Sequence, residues 1–390
     1  MYSTKPQADG MKNLMRSLPG QSVSAIDTPS LVIDLDAMER NLHTMATFAQ
    51  QHHIKLRPHA KMHKSAELAR LQVAAGAVGV CVQKTSEAEA LAALGVLDIY
   101  ISNEVISPSK LKRVVTVAQQ LHAAHGNLAI AVDSLHGIAN LAEATSGLPF
   151  TVDVFIELDV GQGRCGIHPG AGAVPLANAI SQHAPLRFAG LQAYHGRAQH
   201  LRTAAERSAA IAEVIASVRK TLAALKAAGH NVPLVTGAGS GTYLQEAASG
   251  VYGELQAGSY LFMDRDYASN EADPEQPTFE HALFVKSQVI SACSSHAVVD
   301  AGHKSHAIDS GLPLVHRLAN GPALEYANGG DEHGILRGAV LPKIGDTIWL
   351  IPGHCDPTVN LHDAMAGVRG GLENGVVERI ITVDARGALS

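Results

Sequence analysis

The sequence lacks the features that mark several common classes of protein. Its four cysteines form no Cys-x-x-Cys motif and no closely spaced set, so neither a disulfide scaffold nor a zinc ribbon is indicated. No stretch approaches about 18 uninterrupted apolar residues, and the N-terminal segment has no apolar leader. Basic residues number 30 against 36 acidic ones, which argues against a nucleic-acid-binding surface. We therefore expect a cytoplasmic protein that binds neither nucleic acid nor membrane.

The composition is that of a folded chain. Hydrophobic residues make up 46% of the 390 residues and charged residues 17%, which excludes disorder as the main state. At about 150 residues per domain the length fits two or three domains, although an α/β barrel alone can take about 250. Histidine is frequent, with 21 residues, but the count does not tell which of them are ligands or proton carriers.

Short β-rich runs alternate with alanine-rich helical stretches from about residue 30 to 265. Strand followed by helix predicts parallel strands with right-handed crossovers. Nine strands are predicted, one more than a (β/α)8 barrel requires, so we place the first outside the barrel. The predicted barrel occupies 37–268 and begins with a helix over about 37–51. The predicted strands are 30–36, 55–61, 78–84, 99–103, 128–134, 153–159, 187–196, 233–239 and 253–260.

The pattern changes near residue 266. The segment 269–280 is polar, carries two prolines and is interpreted as a linker. The runs after it are short, separated by glycine and proline and without helical periodicity, which is typical of antiparallel strands. The fold class is therefore α/β: a (β/α)8 TIM barrel, and a mainly antiparallel β domain made of residues 1–36 and 269–390. The strands expected after the linker lie within 282–291, 296–302, 306–311, 347–353 and 376–387.

Polar side chains close nearly every predicted barrel strand, where the active site of a TIM barrel lies. Strand ends are also polar where they only meet water, so each residue alone indicates little. The candidates include Lys61, Gln83, Tyr194, His195 and Thr236.

The segment RPHAKMHK around Lys61 is the most informative strand end. Two-residue alternation along a strand would put Arg57, His59, Lys61 and His63 on one face, which in a barrel is the interior. Neighbouring positive charge and burial both lower a lysine's pKa and make its amine able to form a Schiff base. The alternative is a solvated basic loop on the surface.

Two glycine-containing turns follow the last two predicted strands. TGAGSGTY (236–243) offers backbone N–H groups and hydroxyls, and GSY (258–260) follows the next strand. Loops after strands seven and eight of a barrel recurrently bind phosphate, although a glycine-rich turn is often only a turn. A reactive lysine on the first strand and a phosphate site on the last two suit pyridoxal 5′-phosphate (PLP). The candidate ligands are Thr236, Gly239, Ser240, Gly241, Gly258 and Tyr260.

Two further motifs carry candidate ligands. GQGRCG places Arg164 in a glycine-rich loop, where it reaches a cofactor oxygen or a carboxylate, or else caps a surface turn. In PGHCDPTVNLHD, His354 and Asp356 would face the same way on an extended chain, which suits a divalent metal with open positions for substrate. A chance His-x-Asp is usually a turn with a solvated carboxylate. His362 and Asp363 either support such a site or have no role, and the polar clusters 299–311 and 331–334 receive none from spacing.

Together these segments resemble the D-threonine aldolase family of the alanine-racemase-like, fold-type III PLP enzymes. The resemblance covers about residues 28–385 and keeps the order of its motifs. It implies a homodimer with active sites at the subunit interface, and cleavage of D-3-hydroxy-amino acids, with D-threonine giving glycine and acetaldehyde. The motifs are TPSLVIDLD, RPHAKMHK, GAVGVCVQKTSEAEAL, ISNEV, VDS, GQGRCGI, YHG, TGAGSGTY, ELQAGSYLFMD, VDAG, DEHG and PGHCDPTVN.

The resemblance also implies roles for single residues in the barrel. Lys61 matches the lysine that binds PLP covalently, Arg164 the arginine near the phenolic oxygen and Tyr194 the tyrosine beside the ring. We assign removal of the substrate's β-hydroxyl proton to His195 or to a metal-bound water. The phosphate-binding segments contain Ser240, Gly241 and Tyr260.

In the β domain, the resemblance makes His354 and Asp356 the metal ligands. A carboxylate ligand favours a hard ion such as Mn²⁺, with Mg²⁺, Co²⁺ or Zn²⁺ as alternatives. Related D-serine and D-threo-3-hydroxyaspartate dehydratases carry His-x-Cys here, whereas this chain has Cys355 one residue earlier. A dehydratase on the same scaffold is therefore the first alternative, and a PLP-binding protein without catalysis is the second.

Overall fold

The computed structural model describes residues 15, 17–318, 321 and 323–390. Most of the N-terminal segment lies outside these residues, so the expectation that it has no apolar leader stays a prediction. The chain forms two compact units. The β unit consists of Met1–Leu42, Leu261–Ala268 and Phe279–Arg386, and the barrel unit of His43–Tyr260, Ser269–Thr278 and Gly387–Ser390. Within the described residues no helix is long and apolar enough to cross a membrane, and all four cysteines are free thiols.

The first strand lies outside the barrel, as predicted. β1 (Ser30–Asp34) pairs with strands of the β unit's sheet. It is followed directly by α1 (Leu35–Gln51), and the division between the two units falls within this helix, after Leu42. The Asp34 carboxylate accepts the N–H groups of Asp36 and Ala37, at 3.0 and 3.1 Å, so it satisfies backbone donors that the first turn of a helix leaves free.

The barrel unit is built on eight parallel strands, which confirms the predicted (β/α)8 class. They are β2 (Lys55–Leu56), β3 (Val80–Val82), β4 (Asp98–Ile101), β5 (Asn127–Val132), β6 (Val152–Glu157), β7 (Leu186–Ala193), β8 (Val235–Gly237) and β9 (Glu254–Leu255). Their order is β2-β9-β8-β7-β6-β5-β4-β3, and a bridge between His59 and Cys81 brings the β2 and β3 edges together. A buried cluster that includes Cys81, Tyr100 and Phe155 fills the interior.

Helices cover the crossovers between these strands, and local sequence explains where several of them begin. The longest starts at a capping box, in which Thr203 and Glu206 each accept the other's backbone N–H. Ser134 caps another by accepting the N–H of Gly137 at 3.1 Å. The helices are α2 (Ala66–Ala74), α3 (Thr85–Ala93), α4 (Pro108–Ala123), α5 (Leu135–Thr145), α6 (Ala173–Ser181), α7 (Ala204–Ala227) and α8 (Tyr243–Ala248).

The strand predicted over 55–61 is wrong beyond Leu56. Pro58 has no N–H to continue a ladder, and a 3-10 turn over Ala60–Met62 carries Lys61. Arg57 therefore does not share a face with Lys61. It pairs instead with Asp98 and, at 3.1 Å, with Glu254, which are the first residues of β4 and β9. Its charge is neutralised at the amino ends of the strands, away from the expected active site.

The β unit contains a mixed, mostly antiparallel sheet, as predicted. Its elements are α9 (Arg265–Ala268), β10 (Leu283–Ala292), β11 (Ala297–Val299), β12 (Leu314–Val315), β13 (Glu325–Asn328), β14 (Gly334–Arg337), β15 (Thr347–Ile351), α10 (Cys355–Val359), β16 (Ala364–Arg369) and β17 (Val376–Thr382). The sheet order is β13-β14-β11-β10-β1-β16-β17, with β15 pairing β10 and β12; β1 and β16 are parallel. Residues 306–311, predicted as a strand, form a loop, while β16 was not predicted.

The segment 269–280, predicted as a linker, is largely part of the barrel unit. Asn270 donates to the carbonyl of Gln199 at 2.8 Å, and the Glu271 N–H donates to the carbonyl of Arg202 at 2.7 Å. The carbonyl of Glu271 accepts from the buried guanidinium of Arg207. The polar groups that made this segment resemble a linker therefore satisfy backbone and side-chain groups of the barrel.

Candidate active site

Lys61 lies on the 3-10 turn at the carboxyl end of β2, and His59 caps that turn. The His59 Nδ1 accepts the Lys61 N–H at 3.4 Å, and its Nε2 lies 3.0 Å from the side-chain nitrogen of Gln83. Burial lowers the pKa of His59 well below its ordinary value, and the charges of Lys61 and Arg164 lower it further. His59 is therefore neutral, and it stands close to both of these cations.

Hydrogen bonds connect this region to the two loops predicted to bind phosphate. Gln72, on α2, donates to the Tyr260 hydroxyl at 3.1 Å, and the Tyr260 N–H donates to Ser240 Oγ at 2.9 Å. Gly258 packs against His59, because a Cβ at this glycine would lie 2.7 Å from the His59 carbonyl oxygen. The structure thus brings the Lys61 turn and both loops together at the carboxyl ends of β2, β8 and β9.

Gln199, which sequence reasoning missed, shapes the glycine-rich turn. It is fully buried, its Oε1 accepts the Gly241 N–H at 3.0 Å, and its Nε2 donates to Thr242 at 2.8 Å. A Cβ at Gly239 would lie 2.4 Å from Gln199 Oε1, and one at Gly241 2.7 Å from its carbonyl oxygen. Gly241 therefore requires glycine, because the clash is with backbone, whereas a side chain at Gly239 would displace the Gln199 amide from the Gly241 N–H. The available signal was the position of Gln199 just after the strand-end residues of β7.

Two threonine hydroxyls near this turn are occupied within the protein. Thr236 lies inside the barrel, where its hydroxyl donates to Glu254 and accepts from Gln256, both at 2.8 Å. The Thr242 hydroxyl donates to Glu246 at 2.9 Å. Thr236 is therefore not brought to the loop surface with the other predicted phosphate ligands.

Arg164 faces a buried pair of carboxyl groups that sequence reasoning also missed. Its Nη2 lies 3.6 Å from Oε1 of Glu157, the last residue of β6. Burial raises the pKa of Glu157 to about 8, and the adjacent Glu104 contributes to the rise. Both oxygens of Glu104 are buried. Glu157 is therefore held largely protonated at neutral pH, beside the Glu104 carboxyl group and Arg164. Carboxylates are common at strand ends, so nothing in the sequence singled these two out.

Tyr194 and His195 follow directly on β7. Burial lowers the pKa of His195, Arg197 lowers it further and Asp159 partly offsets the effect. The His195 Nδ1 is buried and has no hydrogen-bond partner among the described residues. His195 is therefore a neutral imidazole with one ring nitrogen available to accept a proton or a ligand.

The second candidate site lies in the β unit, at the start of α10. His354 is the extended residue before the helix and Asp356 is in its first turn, so the pair is not on an extended segment as predicted. The His354 Nε2 nevertheless lies 3.8 Å from Asp356 Oδ1, and one ion with ligand distances of about 2.0–2.2 Å can reach both. No group of three or more such ligands occurs within the part of the chain that the structure describes.

Carboxylates surround His354, which suits a cation site. Asp309 lies 2.7 Å from its Nδ1, and Asp264 accepts the N–H of Cys355 at 3.0 Å. Burial alone would lower the pKa of His354, but Asp356, Asp309 and Asp264 outweigh it and raise the pKa.

The other side chains of this motif point elsewhere. Cys355 is fully buried, its thiol contacts the Met263 carbonyl at 3.4 Å, and burial raises its pKa well above the ordinary value. His362 Nε2 binds the Ser305 carbonyl at 2.8 Å, and Asp363 pairs with Arg386. None of these three is oriented as a further metal ligand.

Comparison with protein families agrees with this fold and these sites. Residues 33–266 match the family described as alanine racemase, N-terminal domain, and residues 282–368 match the putative serine dehydratase domain. The chain belongs to the alanine-racemase-like, fold-type III family of PLP enzymes.

Within this family the chain is similar to several aldolases. It is 42% identical to a D-threonine aldolase from Arthrobacter sp and 41% identical to a 3-hydroxy-D-aspartate aldolase from Paracoccus denitrificans (strain Pd 1222), in each case over 95% of both chains. The crystal structure of D-threonine aldolase from Filomicrobium marinum superposes with a TM-score of 0.91 at 44% identity, covering 96% of this chain and all of that one. The chain is thus a homologue of lyases that cleave carbon–carbon bonds.

Proposed function

We propose that this protein is a PLP- and divalent-metal-dependent aldolase that cleaves D-3-hydroxy-amino acids to glycine and an aldehyde. D-threonine would give acetaldehyde, and 3-hydroxy-D-aspartate would give glyoxylate. The juxtaposition of His354 with Asp356 carries the proposal. A PLP site serves many reactions, whereas a metal that binds a hydroxyl group selects substrates hydroxylated at Cβ.

The barrel residues fit the cofactor in their chemistry. Lys61 supplies an amine for covalent attachment, Ser240 and the glycine-rich loops supply groups for a phosphate, and Arg164 supplies a cation for a cofactor oxygen. The Arg164 guanidinium lies beside Glu157, with its Nη2 3.6 Å from Oε1 of that residue. When bound, PLP takes up the electron pair that remains when the Cα–Cβ bond breaks.

The remaining requirement is removal of the proton from the β-hydroxyl. His354 and Asp356 would hold the divalent ion, which lowers the pKa of a bound hydroxyl group. His195 is neutral and has an available ring nitrogen, so it is suited to accept that proton. After the aldehyde has left, a proton must be returned to Cα to form glycine.

A product assay tests the proposal. The purified protein, supplied with PLP and Mn²⁺, is incubated separately with D-threonine, 3-hydroxy-D-aspartate and D-serine. We expect glycine together with acetaldehyde or glyoxylate from the first two. Pyruvate and ammonia from D-serine, without glycine from either other substrate, would overturn the aldolase proposal in favour of a dehydratase.

Chelation and substitution test the role of the metal pair. Removing the metal should abolish cleavage and leave the far-ultraviolet circular dichroism unchanged, and added Mn²⁺ should restore activity. Asp356→Ala should behave like the chelated protein, whereas Cys355→Ala serves as the control and should keep metal-dependent activity. Cleavage that survives chelation would refute the metal's role.

The dehydratase remains the second candidate because residues 282–368 match the putative serine dehydratase domain. A thiolate ligand at this motif would support it. Cys355, however, faces the Met263 carbonyl and burial keeps its thiol protonated. The β unit and its metal pair likewise argue against a protein that only stores PLP.

A further inference from the structure

Asp309 lies in the polar segment 299–311, to which the sequence assigned no role. Its Oδ2 is 2.7 Å from the Nδ1 of His354, and Ser310 Oγ lies 3.5 Å from the same nitrogen. The opposite ring nitrogen, Nε2, is the one that lies near Asp356. The imidazole is thus held between two carboxylates, one at each nitrogen.

The segment that carries Asp309 is fixed to the metal-binding motif. The Ala307 N–H donates to Thr358 Oγ1 at 3.0 Å, and this hydroxyl donates to the His354 carbonyl at 2.7 Å. The His362 Nε2 bonds to the Ser305 carbonyl at 2.8 Å. Two attachments just before Asp309 therefore tie its position to α10 and to His354 itself.

We propose that Asp309 is a positioning residue of the metal site. A neutral imidazole carries one proton, and a carboxylate can only accept it, so Asp309 keeps the proton on Nδ1. Nε2 then presents its lone pair beside Asp356, where the ion would bind. Without this acceptor the proton can move to Nε2 and the ring can turn, and either change removes a metal ligand.

A similar pair elsewhere in the β unit provides a control. Asp331 lies 2.9 Å from the Nε2 of His303, and its side chain is 58% exposed, against 52% for Asp309. The two pairs are similar in residue types, distance and exposure, although Asp331 also pairs with Lys304 at 3.2 Å. His303 is not a candidate ligand. If such pairs act only as surface ion pairs, Asp309→Ala and Asp331→Ala should have equal effects.

Metal affinity tests the proposal, which rests on the proposed function for its choice of ligands. The full-length protein carrying PLP is stripped of metal and titrated with Mn²⁺, and free Mn²⁺ is followed by electron paramagnetic resonance. Asp309→Ala should weaken binding about 10- to 100-fold. Asp309→Asn keeps an oxygen acceptor and should stay within about threefold of the unmodified protein, and Asp331→Ala should not change the affinity.

The other outcomes each have a defined meaning. Unchanged affinity in Asp309→Ala overturns the proposal, as does an equal loss in Asp309→Asn, which would make charge rather than orientation decisive. An equal loss in Asp331→Ala also overturns it, because the effect would then be general. His354→Ala separates the two levels of inference: if it binds Mn²⁺ as tightly as the unmodified protein, the proposed metal site itself is wrong.

Discussion

At the scale of single residues, the barrel pairs or neutralises several of the charged or titratable side chains near Lys61. Burial and nearby cations keep His59 neutral, and Arg57 is paired with two carboxylates at the far ends of the strands. Arg164 faces the carboxyl pair that contains Glu157. Uncompensated buried charge is costly, which explains these pairings. We propose that Lys61 binds PLP covalently, which its substitution would test.

Lys61→Ala should remove the covalent attachment of PLP. The protein loaded with PLP is expected to lose the visible absorption band of a lysine-bound cofactor and the cleavage of D-threonine, because no other amine replaces this one. Lys112→Ala, an exposed lysine of α4, is the control and should keep both. Persistence of the band in Lys61→Ala would assign the attachment to another residue.

The contribution of Glu104 to the raised pKa of Glu157 predicts a pH-dependent effect of Glu104→Gln. Burial and Glu104 raise the pKa of Glu157 from 4.5 to about 8, with Arg164 acting in the opposite direction. An acid with a raised pKa stabilises the folded state fully below pH 4.5, and this stability is lost as the pH rises to about 8. The amide that Glu104→Gln introduces would donate to Glu157 and lower its pKa. For each unit by which this pKa falls, the decrease in the free energy of unfolding at high pH should be smaller by about 1.4 kcal/mol.

Thermal unfolding between pH 4 and 9 measures this effect. The melting temperature of Glu104→Gln should equal or fall below that of the unmodified protein near pH 4 and exceed it near pH 9. Glu143→Gln, an exposed residue of α5, should follow the unmodified protein throughout. Parallel curves for Glu104→Gln and the unmodified protein would mean that Glu104 does not contribute to the raised pKa of Glu157.

At the scale of elements, the barrel depends on a few very close backbone approaches. Gly190 in β7 has a φ of +146°, and a Cβ there would lie 1.8 Å from the carbonyl oxygen of Leu234, just before β8. The register between β6 and β7 also shifts next to this residue. β7 can pair on both sides only because this position has no side chain.

Gly190→Ala should therefore destabilise the protein strongly. Both the strained φ and the clash with backbone act against alanine, and we expect a loss of roughly 3 kcal/mol or more, measured by chemical unfolding or seen as lost soluble protein. Gly147→Ala is the control, because no atom lies within 4 Å of its added Cβ and its φ lies outside the left-handed region that disfavours alanine. A small effect at Gly190 would show that β7 and β8 can move apart with little loss in the free energy of unfolding.

At the scale of the whole molecule, the resemblance to the D-threonine aldolase family predicts a homodimer. Sedimentation or light scattering should give twice the chain mass of 40.8 kDa at assay concentrations. Dilution until the dimer dissociates should reduce activity if residues of both chains complete each site. Full activity at the mass of a single chain would refute the dimer and the shared site together.

The sequence by itself determined the class of fold and the residue types at the site. Periodicity reports on neighbours along the chain, so it predicted the nine strands, the first strand outside the barrel and the change to antiparallel strands. The glycine-rich turn, the Lys61 segment and the His354–Asp356 pair are also local in sequence. The limits of these elements were less accurate, because Pro58 ends β2 early and Ser269–Thr278 packs onto the barrel.

Only the tertiary structure decided which distant side chains meet. Arg57 was expected beside Lys61 but pairs with Asp98 and Glu254, because the strand ends between them. Asp309 contacts His354 across 45 residues, and Gln199 packs under a glycine-rich turn on another strand's loop. Such contacts depend on how the strands and loops pack in three dimensions. The local sequence pattern does not specify which residues far apart in the chain this packing brings together.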